Sequence, residues 1–243
     1  MGKENKGDNI MKVTVIYGTM HKGSTYNCVQ ELLKNFTDVQ VTEFFLPKDM
    51  PHFCNGCFSC FLKGENTCPH YMPINNIKQS MLKANLIILA SPVYVCDVSG
   101  QMKALLDHFG YIWMSHRPEP LMFNKIGLVL STAAGAGTSH TNRTMKKSLN
   151  YWGVKRVFSY KKNVGAMSWE EVNSKNKNQI IKETRILADK ISKTVAKSNT
   201  LKPKLFTKII FTAMKGMQKK NSWNETDRNH WKEQGWLEEK KPW

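Results

Sequence analysis

Residues 86–107 read LIILASPVYVCDVSGQMKALLD, and this stretch decides the fold. Residues 86–90 form a continuous apolar run, which is typical of a central strand in a parallel sheet with both faces covered. The run ends at Ser91 and Pro92, and residues 99–109 then have the spacing of an amphipathic helix. A buried strand, a short loop and a helix therefore follow one another directly.

The same alternation continues along the chain in both directions. Strands are predicted at residues 12–17, 39–46, 125–130 and 154–160, and helices at residues 28–36, 74–83, 140–151 and 174–196. Residues 47–73 are predicted to be a loop. Because strands and helices alternate throughout, the sequence predicts an α/β fold, a doubly wound parallel sheet with helices on both faces.

Composition divides the chain into three segments: a polar leader (1–10), an α/β domain (11–197) and a basic, Trp-rich helical tail (198–243). The tail has an apolar stripe at helical spacing, formed by Leu205, Phe206, Ile209, Ile210, Ala213, Met214 and Met217. Such a stripe docks on its own domain or on a second subunit, so we expect a homodimer. The alternative is a basic amphipathic helix lying on an anionic membrane.

Charge is distributed unevenly, since residues 111–243 hold 26 of the 36 Lys and Arg but only 10 of the 19 Asp and Glu. We interpret this excess as a solvated lysine-rich surface and expect no nucleic-acid partner. No apolar run is long enough to span a bilayer, and the leader lacks the apolar region of a secretory signal. We therefore expect no stable membrane insertion and a cytoplasmic location, where the cysteines are reduced or bind metal.

Three loops leave the predicted carboxyl ends of the strands, where open α/β sheets bind ligands. In the first, residues 18–25, glycines and hydroxyl groups precede a helix N-terminus, which is typical of a phosphate site, although an ordinary helix cap has the same composition. The second, residues 91–95, contains Tyr94, which can stack on a flat ring. The third, residues 132–138, has two glycines that allow close backbone approach.

Together, the three loops resemble those of the flavodoxin-like NAD(P)H-dependent FMN reductase family, close to its iron–sulfur flavoprotein branch; residues 91–107 carry this resemblance most specifically. It covers residues 11–197. It implies that the first loop holds the FMN phosphate through Thr19, His21, Gly23, Ser24 and Thr25. It implies that the isoalloxazine is flanked by Pro92, Val93, Tyr94 and Val95 and by Thr132, Ala133 and Gly135. His21 and Lys22 are the two candidates for the positive charge beside the phosphate.

The resemblance also implies an activity, namely transfer of electrons from NADPH or NADH through FMN to a small-molecule or protein acceptor such as a quinone or a flavin. Chemistry of this kind needs no acid–base catalyst, because the protein supplies orientation and electrostatics. The seven histidines show neither metal-ligand spacing nor the pattern of a catalytic triad. We therefore assign no catalytic residue.

Four of the six cysteines form a compact motif, Cys54-x2-Cys57-x2-Cys60-x7-Cys68, followed by Pro69. The spacing is similar to that of ferredoxins and of iron–sulfur flavoproteins, and it predicts a [4Fe-4S] cluster as one possibility. Free or redox-active thiols, a zinc site and a disulfide remain alternatives. The other two cysteines, Cys28 and Cys96, are interpreted as packing residues.

Overall fold

The computed structural model describes residues 10–243, in which strands and helices alternate. The strands are β1 (Met11–Tyr17), β2 (Val39–Phe45), β3 (Leu86–Pro92), β4 (Ile126–Ala133) and β5 (Arg156–Asn163). The helices are α1 (Ser24–Leu33), α2 (Ser59–Leu62), α3 (Tyr71–Lys83), α4 (Gly100–His108), α5 (Thr138–Tyr151), α6 (Ser174–Ala196), α7 (Leu205–Lys219) and α8 (Glu225–Glu233). The predicted leader lies outside the described residues except for Ile10.

The five strands pair in parallel in the order β2-β1-β3-β4-β5. This is the flavodoxin-like order, and it confirms the predicted doubly wound sheet. The order reverses between β1 and β3, whose carboxyl ends meet where Tyr17 pairs with Ala90. Such a reversal opens a crevice between the following loops, so it is the expected ligand position in this fold.

Both faces of the sheet are covered by helices, as the continuous apolar runs of β3 and β4 predict. Alternate residues of β3 enter different cores: Ile87 and Leu89 pack beneath α3, α4 and α5, whereas Leu86 and Ile88 pack beneath α1 and α6. Every residue of β4 is buried. The central strands therefore form a rigid platform whose carboxyl ends hold the loops in place.

A buried serine joins the two strands at the point where their order reverses. Ser99 is fully buried, and its hydroxyl donates to the carbonyl of Gly18 at 2.5 Å and accepts from the N–H of Met102 at 3.2 Å. The N–H of Ser99 donates to the hydroxyl of Ser91 at 3.0 Å. One residue thus caps α4 and connects it to the ends of β1 and β3.

The tail adds a third, smaller core beside the sheet. Phe211 of α7 packs with Trp231 and Trp236 against Met114 and Phe123 of the α/β domain. The predicted stripe is therefore divided between two environments. Its members Ile210 and Met214 contact this core, while Leu205, Phe206, Ile209 and Met217 remain exposed. Within residues 10–243, no helix is both long and apolar enough to cross a membrane.

Two features of the structure extend beyond the predicted elements. The predicted loop over residues 47–73 contains the short helix α2 and a 3-10 turn at Glu65–Thr67. Helix α8 was not predicted, because its 9 residues are strongly polar and only Asp227 and Trp231 are buried. Its position is fixed by contacts with residues far away in sequence.

Candidate functional site

A cavity of about 250 Å³ lies at the carboxyl ends of the strands, and we call it the carboxyl-end cavity. Ten of the twelve predicted FMN-site residues line it: Thr19, His21, Gly23, Ser24, Thr25, Pro92, Val93, Tyr94, Thr132 and Ala133. The other two, Val95 and Gly135, do not. A larger groove of about 450 Å³ lies between α3 and strands β1 and β2 and contains none of the predicted site residues.

The first loop presents a helix N-terminus to this cavity. Helix α1 begins at Ser24, and no side chain caps it, because the capping position is Gly23. The N–H groups of a first helical turn have no acceptors within the helix, and here no acidic residue lies among them. The loop therefore offers the backbone donors and the positive end of a helix dipole that an anion requires.

The structure distinguishes the two candidate cations of the first loop. His21 lines the cavity, and its imidazole lies over Gly23 so closely that a Cβ there would be 2.6 Å from the ring. Lys22 points elsewhere, with its ammonium 5.2 Å from the ring centre of Tyr26 and 5.5 Å from that of Phe45. Of the two, His21 is positioned to face a bound anion.

The first and third loops are tied together by a buried hydroxyl pair. Thr25 Oγ1 and Thr132 Oγ1 lie 2.7 Å apart, and both side chains line the cavity. Because either oxygen can donate, each hydroxyl keeps an acceptor lone pair for a further partner. This hydrogen bond fixes the distance between the first loop and the carboxyl end of β4.

The second loop makes a strained turn at its tip. Tyr94 and Asp97 exchange two backbone hydrogen bonds, of 2.9 and 3.1 Å, across Val95 and Cys96. Both central residues have positive φ, 48° and 64°, which is the conformation of a type I′ turn. A β-branched residue is strongly disfavoured there. The Val95 side chain points fully into solvent, and of this loop Pro92, Val93 and Tyr94 line the cavity. That the backbone of residues 92–95 flanks the isoalloxazine stays a prediction.

The glycine of the third loop that needs its conformational freedom is Gly137. Its φ is 98°, and a Cβ at this position would lie 2.6 Å from Val93 Cγ1 and 3.1 Å from Cys96 Cα. By contrast, a Cβ on Gly135 would meet nothing within 4 Å. Of the two glycines, Gly137 is thus the one where the third loop approaches the second loop closely. Close approach of this loop to a ligand stays a prediction.

A fourth loop, which follows β5, completes the carboxyl-end cavity with Val164, Ala166 and Met167. The N–H of Val164 donates to the carbonyl of Ala133 at 2.9 Å, which continues the pairing of β5 with β4 beyond the strand ends. Sequence analysis missed these residues. The available signal was that β5 is parallel to its neighbours and ends at the same edge of the sheet.

The four clustered cysteines line a second, smaller cavity of about 50 Å³, which we call the cysteine cavity; Phe58, Phe61 and Pro69 also line it. Cys54 and Cys57 are exposed, Cys60 and Cys68 are partly buried, and none of the four forms a disulfide. The motif therefore folds back on itself, so that thiols separated by up to 14 residues of sequence face one space.

The thiols of this cavity differ in their proton affinity. Burial, with the nearby thiols of Cys68 and Cys54, raises the pKa of Cys60 to about 11, and the charge of Arg117 opposes this shift. At exposed Cys57, hydrogen bonds from Ser59 lower the pKa of the thiol. The cavity thus combines one easily ionised thiol with a partly buried one next to a guanidinium.

Two histidines that sequence analysis left unassigned also line the cysteine cavity. The donor atoms of His70, His108 and Cys68 lie within 4.8 Å of one another. Nδ1 of His70 is buried and has no hydrogen-bond partner among residues 10–243. Burial lowers the pKa of both imidazoles, which favours their neutral, ligand-competent form. His108 could not be linked to this motif from spacing, because it belongs to α4.

The two remaining cysteines lie in opposite environments. Cys28 is completely buried, and burial raises the pKa of its thiol to about 12, so it is a packing residue as predicted. The same interpretation is wrong for Cys96, which is exposed at the tip of the second loop. Cys96 is exposed because it is one of the two central residues of the turn between Tyr94 and Asp97.

Comparison with known proteins identifies similar sequences. The family model described as NADPH-dependent FMN reductase matches residues 11–166. An iron-sulfur flavoprotein of Archaeoglobus fulgidus is 28% identical over 148 residues, covering 59% of this chain and 64% of that protein. One from Methanocaldococcus jannaschii is 35% identical over 130 residues, covering 51% of this chain and 63% of that protein. The matched region thus spans less than two thirds of either relative.

Solved structures share the fold at low sequence identity. An FMN-dependent NADH-azoreductase from Bacillus anthracis, solved in complex with FMN, gives a TM-score of 0.56 at 13% identity. That match covers 74% of this chain and 99% of the azoreductase. A flavone reductase gives a TM-score of 0.55 at 13% identity, covering 80% of this chain and 66% of that one. These likenesses concern the arrangement of strands and helices.

The strained turn of the second loop leads to a stability prediction. We expect Val95→Asn to increase the free energy of unfolding by about 1 kcal/mol, because Asn tolerates positive φ and relieves a left-handed penalty of about 1–2 kcal/mol. Thermal unfolding measures this change. Val95→Ile is the matched control, since it keeps the β-branch and should leave stability unchanged. Equal melting temperatures for the two variants would show that the turn stores no strain.

Proposed function

Because the chain belongs to the NADPH-dependent FMN reductase family, we propose that it binds FMN in the carboxyl-end cavity and passes electrons from a reduced nicotinamide to an acceptor. Family membership indicates an oxidoreductase with FMN as its flavin. One observation carries the placement of the cofactor: the predicted loop residues converge on a single cavity at the point where strand order reverses. The acceptor is a small molecule or a protein.

The residues around this cavity fit FMN. We assign the phosphate to the uncapped N-terminus of α1, the imidazole of His21 and the hydroxyls of Ser24 and Thr25. FMN has a single terminal phosphate, so this one anion site is sufficient. Tyr94 is about half exposed at the cavity, where its ring can cover a flat ligand. The chemistry that bound FMN would supply is acceptance of a hydride from the nicotinamide and transfer of electrons to the acceptor.

Two side chains at the rim of the cavity, Met167 and Tyr94, lie where the nicotinamide or the acceptor would reach the flavin. Met167 is 88% exposed at the rim, and Tyr94 stands opposite on the second loop. Both present apolar surface to solvent beside the cavity. We assign them to contact with the nicotinamide or the acceptor, while the buried pair of Thr25 and Thr132 keeps the walls in place.

A second candidate function is electron transfer through a [4Fe-4S] cluster, and the observation that favours it is the convergence of four thiols on the cysteine cavity. This donor set fits a cluster held by Cys54, Cys57, Cys60 and Cys68. When bound, a cluster supplies one-electron transfer. Helix α4 connects the two cavities, because it begins after Ser99 and ends at His108.

The phosphate assignment is tested by removing two hydroxyl groups. We expect Ser24→Ala with Thr25→Ala to weaken FMN binding, because each hydrogen bond to a charged group contributes about 1.5–3 kcal/mol. Isothermal titration calorimetry measures the change. Thr194→Ala removes a hydroxyl from the distant end of α6 and should leave the affinity for FMN as it is. Wild-type affinity in the double variant would mean that the phosphate lies elsewhere.

The cluster assignment is tested by iron analysis of the anaerobically purified full-length chain. We expect about four iron atoms per chain and a broad visible absorption besides the flavin bands. Cys60→Ser should lose the iron but keep the flavin. Cys96→Ser is the control, since this cysteine is exposed and lies outside the cysteine cavity. A yellow, iron-free wild-type protein would leave the flavin activity as the only proposal.

We further propose that the protein is a homodimer that pairs through the outward face of α7, where Leu205 is 72% and Ile209 56% exposed. Burying such a face removes apolar surface from water, which favours association. We expect Ile209→Glu to convert the dimer to a monomer in light scattering. Asn178→Glu, which adds the same charge at an exposed position of α6, should leave the mass unchanged. A wild-type monomer would contradict the proposal.

A further inference from the structure

The helix that carries Cys60 is capped by the tail. Helix α2 has 4 residues, which is too few for a helix to be stable alone. The last carbonyl groups of a helix find no N–H donors within it, so they need partners from elsewhere in the chain. Nδ2 of Asn224 donates to the carbonyl of Phe61 at 3.2 Å, and Oγ1 of Thr226 donates to that of Leu62 at 2.6 Å. Both donors lie more than 160 residues further along the chain.

A buried ion pair connects the tail to the same carbonyl groups. The guanidinium of Arg117 donates to the carbonyls of Cys60 and Phe61, the latter at 3.1 Å. Its charge is balanced by Asp227, which is fully buried and accepts from Arg117 at 2.6 Å, and by Glu65, whose carboxylate lies 3.6 Å from the guanidinium. The backbone carbonyl of Glu65 accepts from the N–H of Cys68 at 3.1 Å. The second oxygen of Asp227 lies 2.7 Å from Nδ1 of His116. Removing one partner of such a pair leaves an uncompensated buried charge.

Further bonds hold the tail in this position. The indole N–H of Trp231 donates to the carbonyl of His116 at 2.6 Å, and Nε2 of His230 lies 3.0 Å from the carbonyl of Pro118. Trp231 is completely buried in the third core. Helix α8 is therefore fixed on the segment that contains Arg117, and both then contact α2.

We propose that residues 221–236 are the positioning element of the cysteine cavity. Asn224 and Thr226 act directly on the end of α2, and Asp227 acts by holding Arg117 on the carbonyl of Cys60. These residues keep Cys60 and Cys68 facing one space. The inference depends on the proposed function only for what the cysteines bind, because their positioning is a property of the chain itself.

The test measures the reactivity of each cysteine in the full-length chain after reduction and removal of metal by a chelator. We expect Asn224→Ala with Thr226→Val, and separately Asp227→Asn, to speed alkylation of Cys60 and Cys68 by iodoacetamide about tenfold, since two hydrogen bonds are lost. Mass spectrometry reports each site. Cys57 is already exposed, so its rate should not change and serves as an internal reference.

Two comparisons make the result specific. Arg228→Ala changes an exposed residue of the same helix and should leave all rates at the wild-type value. Asn224→Ala with Thr226→Ser retains the hydroxyl and should recover part of the protection. Unchanged rates at Cys60 and Cys68, or a uniform increase that includes Cys57, would overturn the proposal. An iron-free wild-type protein would contradict the cluster but not this result.

Discussion

Ser99 joins the carboxyl ends of β1 and β3, because its hydroxyl donates to the carbonyl of Gly18 and its N–H donates to the hydroxyl of Ser91, and the geometry of the carboxyl-end cavity depends on these contacts. A polar group buried between two strands must be fully hydrogen-bonded, and Ser99 meets this requirement with both neighbouring loops and with its own helix. The contact also explains the glycine of the first loop. A Cβ on Gly18 would lie 2.6 Å from Ser99 Oγ, so the loop can approach α4 only without a side chain.

A second constraint acts at the opposite end of α4, where charge is buried. Arg117 and Asp227 are almost completely removed from solvent, and removing either one leaves the other with a single further partner, Glu65 for Arg117 and His116 for Asp227. The α/β domain supplies the cation and the tail supplies the anion. A tail that merely covered apolar surface would not need this pair, so its position is specified by electrostatics as well as by the packing of Trp231 and Phe211.

Much of the fold follows from local sequence, because burial on both faces of a strand and on one face of a helix gives periodic patterns. The ends of β1, β3 and β4 were therefore located well enough to bring ten predicted residues to one cavity. Non-local features could not be predicted. His108 joins Cys68 only through the packing of α4, and polar α8 is held by the pairing of Asp227 with Arg117 and by the burial of Trp231, both of which involve partners distant in sequence. The exposure of the Val95 side chain could not be predicted either, because a valine gives no sign of positive φ.

Helix α4 connects the contacts of Ser99 to the cysteine cavity, because one end of the helix lies at each. Its first turn is held by Ser99 at the carboxyl-end cavity, and its last residue, His108, lines the cysteine cavity. A helix of 9 residues is about 13 Å long, and a single packed helix cannot change that length without breaking its own hydrogen bonds. One packed helix thus links the first and second loops, which Ser99 contacts, to the wall of the cysteine cavity. The tail then determines whether the thiols at its far end face a common centre.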